Sequence, residues 1–151
     1  MCRLMQIDDL KADFELLDDW EDRYRHVIEL GKALPPLGEA LHTSANKVRG
    51  CASQVWLVSH SSGPADDPVL HFSGDSDALI VKGLVAIAFM IFSGRKAREI
   101  LSTDAAVILR GLGLNDHLTQ QRSNGFASMI ERIKADARAA LQGAPASIAG
   151  R

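Results

Sequence analysis

Cysteine is scarce: only Cys2 and Cys51 occur in 151 residues. That excludes a disulfide-rich scaffold, and equally a four-cysteine zinc or iron–sulfur site built within one chain. Basic residues are not in excess either. Lys and Arg number 17 against 19 Asp and Glu, a formal charge of −2, so the overall balance lacks the basic footprint of a nucleic-acid binder. Long apolar runs are missing; the longest, Gly83 to Phe92, falls short of the ~20 residues of a membrane-spanning helix. The five histidines, His26, His42, His60, His71 and His117, include no His-x-x-x-His spacing of a helical metal site. The N-terminal residues lack the basic-then-apolar pattern and the small-residue cleavage site of a secretory signal. With so few cysteines, this implies a cytoplasmic chain whose thiols stay reduced. No internal repeat or linker interrupts the sequence. Residues 1–141 are therefore expected to form one domain, and 142–151, rich in Ala, Gly and Ser, a disordered tail.

What is present is the composition of an ordinary globule, 46% apolar and 24% charged. Asp8 and Asp9 precede a helical pattern carried by Leu10, Phe14 and Leu17. Asp18 and Asp19 offer caps for a second helix, Trp20 to about Lys32, with Tyr24, Val27, Ile28 and Leu30 as its apolar stripe; Pro35 and Pro36 forbid its continuation. The polar stretch from Pro35 to Gly50 reads as an irregular, docked loop. Gln54 to His60 is β-branched and aromatic, a strand buried on both faces, and Val69 to Ser73 is a second strand with Leu70 and Phe72 on one face. The turn residues between them make a hairpin, so the sheet is at least partly antiparallel.

Ser76 or Asp77 is positioned to cap a central core helix from Ala78 to Phe92, apolar nearly all round but for Lys82 and Gly83. Ser93-Gly94-Arg95 interrupts it, and a short helix follows from Lys96 to Leu101. Asp104 to Gly113 fits either a helix or a strand. A last helix, about Ser123 to Leu141, buries Phe126, Met129, Ile130 and Ile133 and leaves Arg132, Lys134 and Arg138 wet. Helices, a hairpin and further helices make an α+β domain.

The residue with chemical promise is Cys51. Gly50 before it can adopt a φ that other residues avoid, and Lys47 and Arg49 are cations that would lower a nearby thiol's pKa. A lone cysteine at a strand entrance also serves simply as a small buried hydrophobe. The acidic pairs Asp66-Asp67 and Asp75/Asp77 suit turns and caps, Gly111-Leu-Gly113 lacks the third glycine of a nucleotide loop, and Arg122 with Asn124-Gly125 suits the entry to the last helix. Cys2 lies in a terminus expected to fray.

Together these segments resemble a known family. Val48-Arg49-Gly50-Cys51-Ala52-Ser53-Gln54-Val55-Trp56 is similar to the active-cysteine signature of the SufE/CsdE cysteine desulfuration proteins. Asp75 to Leu84 resembles that family's second signature, and Leu118 with Arg122-Ser123-Asn124-Gly125-Phe126 and Met129 the third. Trp20 to Tyr24 and Leu30-Gly31 also fit, so the likeness runs from about residue 7 to 141. The resemblance implies a SufE/IscU-like two-layer fold, an antiparallel sheet packed on helices. It also implies a sulfur relay, in which a SufS- or CsdA-type desulfurase passes persulfide sulfur to Cys51 and this chain hands it to an iron–sulfur scaffold or other acceptor. Cys51 would be the sulfur acceptor, with Arg49, Gly50, Asp75 and Arg122 on the partner or active-site surface, Asp75 in a loop near the cysteine. The pyridoxal phosphate would belong to the partner, and this chain would hold no cofactor or metal. No nucleic acid or membrane partner is implied, and a homodimer is left open.

Such a transfer resembles thiol–disulfide exchange and needs one cysteine on each side. A resting Cys51 is expected to be partly sheltered, with Gly50 as the hinge that frees it on docking; shelter raises a thiol's pKa while the cations lower it. The competing readings are a cysteine hydrolase or acyl transferase, with His42 or His117 as base, and an adaptor in which the thiol is incidental.

Overall fold

The computed structural model describes residues 7–51 and 53–143. In α1 (Ile7–Glu15), Leu10 and Phe14 turn inward and are buried. Asp19 then caps α2 (Trp20–Lys32), its carboxylate accepting the Asp22 amide at 2.8 Å. The following stretch holds a single 3₁₀ turn, Glu39–Leu41, before the chain reaches the sheet.

β1 (Val55–Ser62) and β2 (Val69–Ser76) pair antiparallel in continuous register from Val55↔Ser76 to Ser62↔Val69. The expected hairpin is there, with both strands running further than their apolar patterns. β1 is buried on both faces only as far as Ser59; His60 to Ser62 are exposed. β2 alternates, burying Leu70, Phe72, Gly74 and Ser76. A third strand, β3 (Arg95–Lys96), adds to the free side of β2. The sequence marks Arg95 only as part of a break after the core helix and gives Lys96 to the short helix that follows, which starts one residue later, at Ala97.

The apolar run folds as α3 (Leu79–Phe92), with eleven of its fourteen residues buried. Its N-cap is Ala78, not Ser76 or Asp77, and makes no side-chain cap bond. Both expected caps are directed elsewhere: the Ser76 hydroxyl donates to the Gln54 carbonyl at 2.8 Å, and Asp77 accepts from the Gln54 amide at 3.0 Å. α3 packs on α2 through its one glycine. A Cβ at Gly83 would stand 2.2 Å from the Val27 carbonyl oxygen, and one at Gly31 2.6 Å from the Gly83 nitrogen. On its other side Phe89 stacks on Phe72 of β2, ring centres 6.0 Å apart.

α4 (Ala97–Ser102) and α5 (Ala105–Gly111) follow, the second resolving the ambiguous segment as a helix; Asp104 caps it by accepting the amides of Ala106 and Val107. α6 (Gln120–Leu141) begins three residues before its expected start, because the Thr119 hydroxyl accepts the Arg122 amide at 3.1 Å. Arg122 and Asn124 therefore lie inside the helix. Phe126, Met129, Ile130 and Ile133 are buried as expected. Arg132 and Lys134 are not simply wet: Arg132 reaches the Leu57 carbonyl, and Lys134 donates to the Thr103 carbonyl at 2.8 Å. Gln142 and Gly143, expected in the tail, close the helix by donating to Arg138 and Ala140 carbonyls; residues 144–151 of that tail, and Cys2, lie outside the described residues.

The result is an α+β arrangement in which a three-stranded antiparallel sheet and the helices share one apolar core around α3. Among the described residues, no helix is long and apolar enough to cross a membrane.

Candidate functional site

Residues 46–48, within the stretch read from sequence as irregular loop, run antiparallel to the start of β1. The Val48 amide donates to the Val55 carbonyl and the Leu57 amide to the Asn46 carbonyl, each at 2.8 Å, and Lys47 bridges Trp56. Residues 49–54 are thereby closed at their base into a short loop that carries Cys51. At the far end of the loop, Gln54 is pinned by Ser76 and by both oxygens of Asp77. The loop is held at both ends, so its own bonds set where the thiol points.

Gly50 has φ +90°, in the left-handed region that favours glycine. A Cβ there would also stand 2.5 Å from Ser128 Oγ on α6. Sequence reasoning assigns Gly50 this freedom, and the backbone uses it. The Cys51 thiol, half-buried, donates to the Gly125 carbonyl of α6 at 3.5 Å. It faces a cleft of about 110 Å³ walled by Val81 and Leu84 of α3, Met129 and Gly125 of α6, and Ser53 of the loop. Arg122 is the one charged side chain among the described residues lining it. Its guanidinium is fixed by a 2.9 Å hydrogen bond from Nη1 to the Tyr24 hydroxyl of α2.

Burial pushes the Cys51 thiol's pKa up. Of the two opposed effects expected on this thiol, shelter is the one the geometry supplies. Lys47 and Arg49 do not join the cleft; they line a separate groove along the neighbouring face of α6. The positive φ at Gly50 turns the chain between Arg49 and Cys51, sending the two side chains to different faces of the same helix.

Asp75 also departs from expectation. It lies within β2 opposite Trp56 rather than in a loop, and is not among the residues lining the cleft. Its carboxylate takes His42 Nε2 at 2.8 Å, Lys82 Nζ at 3.3 Å and the Ser76 amide at 2.8 Å. Burial raises the Asp75 pKa, but His42, the Ser76 amide and Lys82 together outweigh it and hold the carboxyl low. His42 is raised in turn, chiefly by Asp75. This cluster fastens the 3₁₀ segment to β2 beside the arm that leads to Cys51.

The imidazoles required by a hydrolase are placed elsewhere. His42 is bound by Asp75 and lies edge-on to Trp56, centroids 4.5 Å apart, and His117 stacks on Trp20 at 3.8 Å. Neither meets the thiol, whose hydrogen bond goes to Gly125. No group of three or more His, Cys, Asp or Glu among the described residues is arranged to hold a metal ion.

The resemblance covers Val81, Leu84 and Tyr24 as parts of matching segments, but the residues by themselves read as core and apolar stripe, and neither reading gives them a place at the site. The wall residues share a helical spacing with the core, and the Tyr24 hydroxyl has its partner 98 residues away, beyond any local signal.

The fold is similar to a solution structure of a hypothetical protein from Thermus thermophilus, with a TM-score of 0.67 and 21% identity over 91% of this chain and 99% of that one. Closer in sequence is an uncharacterized SufE-like protein of Rhizobium meliloti, 56% identical over 138 residues, 91% of this chain and 99% of the relative. Another, from Rhizobium etli, is 55% identical over 135 residues, 89% of this chain and 91% of the relative. The family model described as SufE, an Fe-S metabolism associated domain, matches residues 8–137. The cysteine loop, the α+β frame around it and these matches lead to one conclusion: the chain belongs to the SufE family, which is associated with iron–sulfur metabolism.

Proposed function

We propose that this chain is a sulfur acceptor and carrier, charged at Cys51 by a pyridoxal-phosphate cysteine desulfurase of the SufS or CsdA type, whose turnover it thereby stimulates. It then delivers the sulfur to iron–sulfur cluster assembly. The observation that carries the reading is the half-buried thiol on a closed loop, facing a small cleft whose one charged lining residue is Arg122. The desulfurase holds the pyridoxal phosphate; the chain described here supplies a thiol and a protected place for the sulfur.

In the transfer, the Cys51 thiolate attacks the terminal sulfur of the donor's persulfide. The bond between the donor's two sulfurs breaks, and its electron pair leaves on the donor's cysteine sulfur as a thiolate. The new sulfur–sulfur bond is on Cys51. At rest the raised pKa keeps Cys51 protonated and poorly nucleophilic. Docking of the donor draws the loop outward about Gly50, which removes the desolvation and frees the thiolate where the persulfide is waiting. On return, the terminal sulfur enters the cleft; about 110 Å³ is several times the ~30 Å³ share of a water molecule. Apolar Val81, Leu84 and Met129 screen it from solvent thiols, and Arg122 offsets the persulfide's negative charge.

The test is intact-mass measurement after incubation with desulfurase and cysteine. The wild-type chain gains one or more sulfur atoms that digestion maps to Cys51, and Cys51→Ser gains none and no longer stimulates the desulfurase. A wild-type chain that remains unmodified, or a serine variant that stimulates normally, overturns the proposal.

A further inference from the structure

On the face of α6 next to the cleft lies a second groove, of about 480 Å³. Lys47 and Arg49 enter it from the arm of the cysteine loop, and Arg132 and Arg138 from α6; Glu131 is the one carboxylate lining it among the described residues. Arg132 is engaged by Asp136 at 3.3 Å. Lys47, Arg49 and Arg138 are exposed, and among the described residues none has a carboxylate within ion-pair distance. Unneutralised cations gathered in one groove, on a chain whose formal charge is −2, are a local field and not a reflection of composition.

We infer that this groove receives an acidic segment of the desulfurase that charges Cys51, an inference that rests on the acceptor reading above. Two observations select a protein that brings sulfur over other anions. The groove wall and the thiol share one loop: Arg49 is two residues from Cys51, and Gly50 stands against Ser128, which lines the groove. Whatever seats there sits beside the thiol and bears on its hinge. Glu131, standing among the cations, would oppose the continuous phosphate charge of a nucleic acid but leaves room for spaced carboxylates. Electrostatic complementarity of this kind steers encounter and fixes register more than it alters the chemistry.

The experiment uses the full chain and the desulfurase, with affinity and Cys51 sulfur loading read separately. The variant is Lys47→Glu with Arg138→Glu; both side chains are exposed and, among the described residues, make no ion pair or side-chain hydrogen bond, so the variant keeps its thermal melt. The expected result is a Kd raised on the order of tenfold at low ionic strength, a difference that shrinks as salt is added, and unchanged loading at saturating desulfurase. Equal affinity for the variant and the wild type overturns the inference while normal loading leaves the acceptor reading standing. A short DNA duplex that binds the wild type but not the variant, with desulfurase affinity equal in both, also overturns it and makes the groove a nucleic-acid site. If the wild type binds but takes up no sulfur, the acceptor reading itself fails, and this inference falls with it.

Discussion

The guanidinium of Arg122, which lines the cysteine cleft, donates to the hydroxyl of Tyr24, tying the first turn of α6 to α2. The bond is 2.9 Å long and partly buried, so it fixes the direction in which the charge points as well as its place. Removing the hydroxyl leaves the charge and loses the aim. Tyr24→Phe is expected to slow sulfur loading of Cys51 about fivefold, the equivalent of one hydrogen bond of ~1 kcal/mol, with the melting temperature little changed. Arg122→Ala, which removes the charge itself, is expected to slow it further. Single-turnover loading rates with persulfidated desulfurase check both; equal rates for Tyr24→Phe and wild type would show that the orientation is idle.

Gly50 meets two separate demands, and substitution tells them apart. An alanine there must hold φ +90°, which costs on the order of 1–2 kcal/mol, and its methyl meets Ser128 Oγ at 2.5 Å. The hydroxyl can rotate away, so the backbone demand is the larger. Gly50→Ala is expected to lower stability by about that amount and to slow loading. Adding Ser128→Ala restores little of either. Denaturant melts of the single and double variants measure the split, and full recovery in the double variant would assign the effect to contact instead.

At Gly83 the conflict is with backbone and cannot be relieved by rotation. A methyl would stand 2.2 Å from the Val27 carbonyl oxygen, forcing α2 and α3 apart. Gly83→Ala is expected to cost about 3 kcal/mol or more, the upper range for overpacking, despite alanine's better helix propensity. Gly125→Ala is the control. Its methyl meets Cys51 Sγ at 3.6 Å, an ordinary contact, so its stability should match or slightly exceed that of the wild type. Thermal melts that rank the two variants in the opposite order would contradict the packing described here.

What the sequence made legible follows physical locality. Both ends of α2, Trp20 to about Lys32, are legible because a capping aspartate and a proline pair are local instructions, and Gly50 stands out because left-handed backbone selects its own residue type. The Cys51 loop was found, but not its closure, since residues 46–48 pair through backbone atoms that leave no side-chain pattern. β3 was missed for the same reason: two residues show no alternation, and backbone bonds from Gly94 to Leu70 and from Ala97 to Pro68 hold it. Ser76 and Asp77 misled because their chemistry suits a cap, while Gln54, distant in sequence, competes for them. Arg49 and Arg122 were both placed on the surface of the site. Only Arg122 lines the cleft, a distinction set by the turn at Gly50.

The His42–Asp75 pair gives stability a pH window. His42 Nδ1 faces the Gly38 carbonyl at 3.1 Å and Nε2 faces Asp75 at 2.8 Å. Both partners only accept, so the doubly protonated ring, which donates from both nitrogens, is the form this site favours. Its raised pKa, due first to the Asp75 hydrogen bond, means that its contribution is complete below the unfolded value of about 6.5 and is lost as pH rises through the folded value. Asp75 runs the other way. Its lowered pKa contributes above the unfolded value, about 3.9, and is lost as pH falls through the folded one. The two overlap between roughly pH 4 and 6.5. The difference in melting temperature between wild type and His42→Asn should be greatest there and shrink on both sides. Lys82, which also meets Asp75 at 3.3 Å, keeps the carboxylate paired above the window, so the alkaline loss is partial and the acid loss more complete. Melts of both proteins across the range check this. A difference that does not vary with pH would mean that the ring stabilises by packing on Trp56 and not by charge.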